Sequence, residues 1–209
     1  MDRITQRMKD HYAGTFDRHG ATSAGADWGS DETRLALRYD KMLAVLPPGL
    51  RRPRLLDVGC GYGGLLSHAN ARGLSLEYTG IDVVPAMLHE ARRTHPDAMF
   101  IEGDILDASL DGRYDIVVCN GILTQKLDTP GREMDDFARR LIRRLFDLSD
   151  IGCVFNTMTS KVNFHAENLY YQSPTDILAW CMAEVTPYFR IDHAYPLFEY
   201  SVYLFREPA

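Results

Sequence analysis

The run Leu55-Leu56-Asp57-Val58-Gly59-Cys60-Gly61-Tyr62-Gly63-Gly64 constrains this chain more than any other feature. From Pro53 the chain is short, apolar and then cut off by glycines, the pattern of a strand buried on both faces of a parallel sheet. Glycines at 59, 61 and 63 let the backbone turn tightly and come close to a ligand before a helix opens. A dinucleotide fingerprint spaces its glycines G-x-G-x-x-G and seats a pyrophosphate on the helix amino terminus. Here the order is Asp-x-Gly-x-Gly-x-Gly, and a carboxylate before the first glycine favours a positively charged amino group over a phosphate.

Downstream of this turn, strands near 76–81, 98–102, 114–119 and 151–158 alternate with helices near 63–72, 84–94, 132–149 and 174–185. Such alternation means a parallel sheet with right-handed crossovers and helices on both faces. Upstream, Leu35, Tyr39, Met42, Leu43 and Leu46 share one face of a helix predicted over 31–46, which Pro47-Pro48-Gly49 stops. The two β-rich runs 190–193 and 199–205 are separated by too few residues for a helical crossover, so they predict an antiparallel hairpin at the sheet edge. The expected architecture is α/β: a seven-stranded sheet with its last strand antiparallel. Residues 1–50 form a helical amino-terminal cap over the carboxyl edge, 51–209 the core, and 1–209 a single domain.

Charge narrows the partners. Twenty-three Lys and Arg against 29 Asp and Glu leave a net charge of -6, the wrong sign for bulk nucleic-acid binding or an anionic membrane. The segment Met1 to Asp10 has no apolar leader core, and no window of ~18 uninterrupted apolar residues occurs, so a cytoplasmic protein is expected. Cys60, Cys119, Cys153 and Cys181 form no C-x-x-C pair and read as buried thiols. No Asp, His and Asn cluster has metal-ligand spacing, and no metal is expected.

The motif from Asp57 to Gly63 resembles the first motif of the class I S-adenosylmethionine-dependent methyltransferases, and three later stretches resemble the motifs that follow it. The resemblance implies a Rossmann-like sheet, S-adenosylmethionine as cofactor and S-adenosylhomocysteine as product. It assigns Asp57, Gly59, Gly61 and Gly63 to the cofactor turn. It assigns Asp82, with Val83 beside it, to the ribose hydroxyls, as a carboxylate accepts two hydrogen bonds from a vicinal diol. Asp104 would read the adenine amino group and the backbone amide of Ile105 a ring nitrogen, while Asn120 passes beside the methyl group. Tyr12, Trp28 and Arg38 resemble a lid pattern of small bacterial methyltransferases, closing over the sulfonium and the methionine carboxylate by cation–π contact and ion pairing. The plainer alternative is that Trp28 packs an amino-terminal helix and Arg38 is a solvated helix residue.

Departures from the family matter too. Cys119-Asn120-Gly121-Ile122-Leu123 is not the Asn/Asp-Pro-Pro-aromatic motif of enzymes that methylate base amino groups or glutamine amides, so that class is set aside. The expected reaction is methyl transfer to an oxygen or nitrogen of a small molecule: a natural-product intermediate, a metabolite or a sugar. A neutral alcohol would profit from a general base, for which His165 is the first candidate and His193 the second. Phe164, Tyr170, Tyr171 and Gln172, in the loop 159–174, are candidates for the substrate pocket or for ordinary packing. Arg139, Arg140, Arg143 and Arg144 read as a charged outer helix face, or as a site for an acidic partner. A monomer or homodimer is expected. The alternatives are a cofactor-binding partner or sensor without catalysis, a nicotinamide-dependent oxidoreductase, and methylation of a protein or RNA.

Overall fold

The computed structural model describes residues 1–107, 110 and 112–208. In chain order its elements are α1 (Arg3–His19), α2 (Glu32–Leu43), β1 (Arg54–Val58), α3 (Gly64–Ala71), β2 (Glu77–Asp82), α4 (Pro85–Thr94) and β3 (Met99–Glu102). There follow β4 (Tyr114–Cys119), α5 (Gly131–Asp147), β5 (Ser149–Thr159), β6 (Tyr171–Gln172), α6 (Pro174–Glu184), β7 (Phe189–Asp192) and β8 (Glu199–Phe205).

The strands lie in the order β3-β2-β1-β4-β5-β8-β7, with the two-residue β6 beside the end of β5. β1 to β5 are parallel, and β8 runs antiparallel to both of its neighbours. The seven-stranded Rossmann-like sheet with its last strand antiparallel is therefore present. One detail of the expectation is corrected: only β7 stands at the edge, and β8 is interior. Its composition explains why, for Tyr200, Val202 and Leu204 enter the core on one face of the sheet and Tyr203 and Phe205 that on the other. β6 was not expected, because two residues carry no periodicity. α2 ends three residues before the predicted Leu46, since the residue before a proline is driven out of helical geometry.

Strand pleating distributes the core. Leu56, Val58, Val117 and Cys119 face a cluster closed by α1, α5 and α6, whereas Leu55, Ile116 and Val118 face one closed by α2, α3 and α4. α5 buries Met134, Phe137, Ala138, Leu141, Ile142, Leu145 and Phe146, a three-to-four spacing that fills one helix face. All four cysteines are buried and free.

The amino-terminal segment is a pair of helices. The Asp2 carboxylate caps α1 by accepting from the Thr5 N–H at 2.9 Å, and the helix ends at Gly20, whose φ is 63°. Asp31 caps α2 by accepting from the backbone of Thr33 and Arg34. α1 turns Ile4, Thr5, Met8 and Thr15 inward, which lays it against the carboxyl edge of the sheet.

Candidate active site

Parallel register brings the candidate residues together. Val58 pairs with Ile81 on one side and Cys119 on the other, and Asp82 pairs with Glu102. The residues that follow these strands therefore meet at one edge, beside the β1/β4 boundary where the strand order reverses and ligands of open α/β sheets bind. One cleft there is lined by Asp57, Gly59 and Gly61, by Asp82 and Val83, by Asp104 and Ile105, and by Asn120. Tyr12 and Trp28 border it from the amino-terminal side.

Three carboxylates in the cleft are buried. Asp57 accepts a 2.6 Å hydrogen bond from the Tyr78 hydroxyl, and burial pushes its pKa up to about 7 against that bond. Asp82 is also raised by burial, opposed by the backbone N–H groups of Gly61 and Val84, each donating at 2.8 Å. These two bonds fix both the glycine turn and the start of α4. Asp104 accepts from the Leu106 N–H at 3.0 Å, which closes the turn after β3. Gly59 has a φ of 75°, its N–H donates to Ile81 O at 2.9 Å, and a Cβ there would lie 2.9 Å from the Ile122 side chain. Glycine is thus required where the chain passes along the cleft.

On the lid side, burial raises the Tyr12 pKa, with Asp27 and Asp82 adding to it. Arg38 stays behind Trp28 and outside the cleft lining: its guanidinium sits 4.0 Å from the Trp28 ring centre and pairs with buried Glu199. Among the described residues four buried side-chain polar atoms have no hydrogen-bond partner: Thr5 Oγ1, Ser23 Oγ, Arg38 Nη1 and Asn120 Oδ1. A carboxylate held only by a neutral hydroxyl, an unpaired amide oxygen and a glycine cradle fit a ligand with an amino group, a diol and further donors.

Some candidates lie elsewhere. Gly63 opens α3 and faces His95. His165 is exposed and packs its ring edge on Tyr171 at 4.6 Å, and exposed His193 lies on Tyr200 at 5.5 Å. Neither lines the cleft. Tyr170 is buried, donating to Asp135 at 2.7 Å, while Phe164 is exposed. The α5 arginines are engaged locally: Arg140 pairs with Asp2, Arg143 with Glu184, and Arg144 donates to Ile105 O and Leu110 O.

Sequence reasoning missed Thr5 and Met8 of α1 and Phe137 and Leu141 of α5, all of which line the cleft. The spacing Thr5, Met8, Tyr12 is one helix face, so periodicity was the available signal. It also missed a pair beside the lid, His11 Nε2 to Asp27 Oδ2 at 2.8 Å, which joins residues with no local motif.

Fold, strand-end carboxylates and glycine turn together define a nucleoside-binding site of the methyltransferase type, and comparison with known proteins agrees. Residues 55–145 match the family described as a methyltransferase domain. A Mycobacterium tuberculosis protein named as a methyltransferase is 31% identical over 153 residues, which are 70% of this chain and 89% of that one. Trans-aconitate 2-methyltransferase of Escherichia coli (strain 55989 / EAEC) is 39% identical over 67 residues, only 32% of this chain and 27% of that enzyme. The crystal structure of magnesium protoporphyrin IX methyltransferase from Synechocystis PCC 6803 with bound S-adenosylmethionine superposes with a TM-score of 0.69, covering 99% of each chain at 20% identity. The chain belongs to the class I S-adenosylmethionine-dependent methyltransferases. It is an enzyme, and S-adenosylmethionine is its cofactor.

Proposed function

We propose that this enzyme, working as one domain over 1–209, transfers the methyl group to an oxygen or nitrogen atom of a small-molecule acceptor. The observation that carries the reading is the row of buried carboxylates, Asp57, Asp82 and Asp104, along one covered cleft. In this reading Asp57 holds the amino group of the cofactor while Gly59 and Gly61 let the backbone lie against it. Asp82 accepts from the ribose hydroxyls next to Val83. Asp104 and the Ile105 N–H read the adenine edge, with Phe137 and Leu141 against its face. Asn120 stands beside the methyl group, and Tyr12, Trp28 and, behind them, Arg38 close the site.

When bound, the cofactor supplies a methyl group made electrophilic by its sulfonium. The chain's own task is to align an acceptor with that carbon and to keep water out. Tyr12 and Trp28 provide an apolar wall for this, and the three carboxylates supply no competing nucleophile at the acceptor side because each is committed to the cofactor. A small acceptor is supported by the confined cleft, by the net charge of -6, and by relatives named for trans-aconitate and magnesium protoporphyrin IX.

The test is a thermal-shift titration with S-adenosylmethionine, S-adenosylhomocysteine and NAD, followed by transfer of a labelled methyl group to fractionated cell extract. A ligand at 100 times its dissociation constant adds ~2.7 kcal/mol, a visible shift for this size. The expected result is stabilisation by both sulfur compounds and none by NAD, with label in the low-molecular-weight fraction. Label confined to protein or RNA would overturn the small-molecule reading.

A further inference from the structure

We infer that the hydroxyl of Thr5, on the cap helix α1, reads the adenine base of the cofactor and makes the cap a selector for that base. The inference rests on the methyltransferase reading above and deepens it, because it assigns one more residue to cofactor specificity.

Thr5 lines the cleft, on the same face of α1 as Met8 and Tyr12. It is 7% exposed, and its Oγ1 is buried with no hydrogen-bond partner among the described residues. A threonine hydroxyl in a helix can bond back to a carbonyl three or four residues earlier. Thr15 on the same helix does so: its Oγ1 lies 3.0 Å from Tyr12 O and 2.9 Å from Gly25 O. For Thr5 the carbonyl three residues back is that of Asp2, which accepts from the Gln6 N–H at 3.0 Å. The Asp2 side chain is engaged as well, one oxygen accepting from the Thr5 N–H and the other from Arg140, each at 2.9 Å. An unpaired buried hydroxyl is costly, so one left in that state at the wall of a cleft marks a ligand group that satisfies it.

Three contacts fix the end of the cleft at which Thr5 stands. The Met1 amino group lies 3.9 Å from the carboxylate of Asp107, in the loop that begins at Asp104. Asp2 pairs with Arg140 and Arg3 with Glu133, on either side of the α5 turn that carries Phe137. Ile4 and Met8, flanking Thr5, pack in one cluster with Ile105, Phe137 and Leu141. The first turns of α1 therefore lie against the residues that the reading above gives to adenine.

Chemistry selects the atom. A hydroxyl must place its proton on an acceptor. Adenine carries a ring nitrogen on either flank of its amino group. With Asp104 on the amino group and the Ile105 N–H on the nitrogen of the six-membered ring, the acceptor left along that edge is N7. The Thr5 hydroxyl donates to N7, and its oxygen is free to accept the second amino hydrogen. The base is then held from two sides, by the turn after β3 and by the cap. A base lacking N7 leaves the hydroxyl buried and unpaired when the cap closes.

The test is titration calorimetry of the full chain with S-adenosylhomocysteine, its 7-deaza analogue and its 2′-deoxy analogue, for the parent, Thr5→Val and Thr5→Ser. Thr5→Val is expected to bind S-adenosylhomocysteine roughly 3- to 10-fold more weakly than the parent, and Thr5→Ser within about twofold of it. The parent should lose a similar factor on the 7-deaza analogue, whereas Thr5→Val should bind that analogue and S-adenosylhomocysteine within about twofold of each other. The 2′-deoxy analogue, altered at the ribose, should weaken all three proteins alike. Thr5→Val binding within about twofold of the parent, or an equal 7-deaza loss in both, would overturn the inference and leave Thr5 as a second cap residue beside Asp2. Should Thr5→Val not fold, the parent decides alone, since equal affinity for S-adenosylhomocysteine and its 7-deaza analogue overturns the inference. Failure of the parent to bind S-adenosylhomocysteine would instead overturn the reading on which it rests.

Discussion

Arg38 lies with its guanidinium 4.0 Å from the centre of the Trp28 ring, and its Nε is 3.0 Å from both carboxylate oxygens of Glu199. Glu199 Oε1 also accepts from Asn156 Nδ2 at 3.3 Å, and Asn156 Oδ1 accepts from the Gly121 N–H at 2.8 Å. A lid residue, a helix of the cap, β8, β5 and the turn after β4 are thereby tied together. The position of Trp28 over the cleft follows from this chain of contacts.

Arg38 is 11% exposed and Glu199 1%, so removing one partner leaves a charge buried with no counterion. Burial already holds the Glu199 pKa up in spite of Arg38. Arg38→Met is expected to destabilise the fold by about 3–5 kcal/mol in urea denaturation. The double variant with Glu199→Gln should recover much of that loss, because no charge is then stranded. Equal instability of the single and double variants would refute the stranded-charge account.

Asp57 gives cofactor binding a pH dependence. With its pKa held at about 7 by burial, half of the free enzyme carries a neutral acid at neutral pH, whereas a cationic amino group needs the carboxylate. S-adenosylhomocysteine affinity, followed by calorimetry, should be roughly tenfold weaker at pH 6 than at pH 8. The stability linkage has a defined sign. The folded pKa lies above the unfolded value near ~3.9, so the stabilising contribution is full below that value and is lost as pH rises through about 7. Without cofactor, Asp57→Asn should therefore melt above the parent at pH 8 while binding S-adenosylhomocysteine far more weakly.

Gly121 has a φ of 99°, and a Cβ built on it lies 2.6 Å from Cζ2 of Trp28. Gly121→Ala must both strain the backbone and push Trp28 from its seat. A loss of about 1–3 kcal/mol in stability is expected, together with weaker S-adenosylhomocysteine binding. Adding Trp28→Ala should relieve the steric part of the stability loss but not the binding defect. Relief of both would place Trp28 outside the binding machinery.

How much was visible in the sequence depended on how local each cause is. Asp57, Asp82, Asp104 and Asn120 were legible because each lies at or just beyond the end of a short apolar strand, and parallel register alone then brings them to one edge. The hairpin was legible, but the burial of β8 was not, since both of its faces had to be recognised as apolar. Arg38 and Glu199 are 161 residues apart and no local pattern pairs them. His11 and Asp27 meet only because α1 folds back on the turn before α2, so the histidines that drew attention in the sequence, His165 and His193, were those nearer the carboxyl edge in chain order.

The helix that roofs the cleft is held partly by surface charge, and this predicts a salt effect on cofactor residence. α1 supplies Thr5, Met8 and Tyr12 to the cleft, so departure of bound cofactor past this helix requires the helix to shift. Around that face, Arg3 pairs with Glu133 of α5, Asp2 with Arg140 of α5 at 2.9 Å, and Arg7 with Asp128 at 3.1 Å. Each pair is largely exposed, hence individually weak and screened within ~8–10 Å at ordinary ionic strength. Acting on one helix they add, and stopped-flow measurement should find S-adenosylhomocysteine leaving about 3- to 10-fold faster in 0.5 M than in 0.05 M sodium chloride. A variant with Arg3→Gln, Arg7→Gln and Arg140→Gln keeps every cleft residue, and it should show the fast rate at both salt concentrations. A parent rate independent of salt would mean that α1 is held by the burial of Ile4 and Met8 alone, or that the cofactor leaves without moving it.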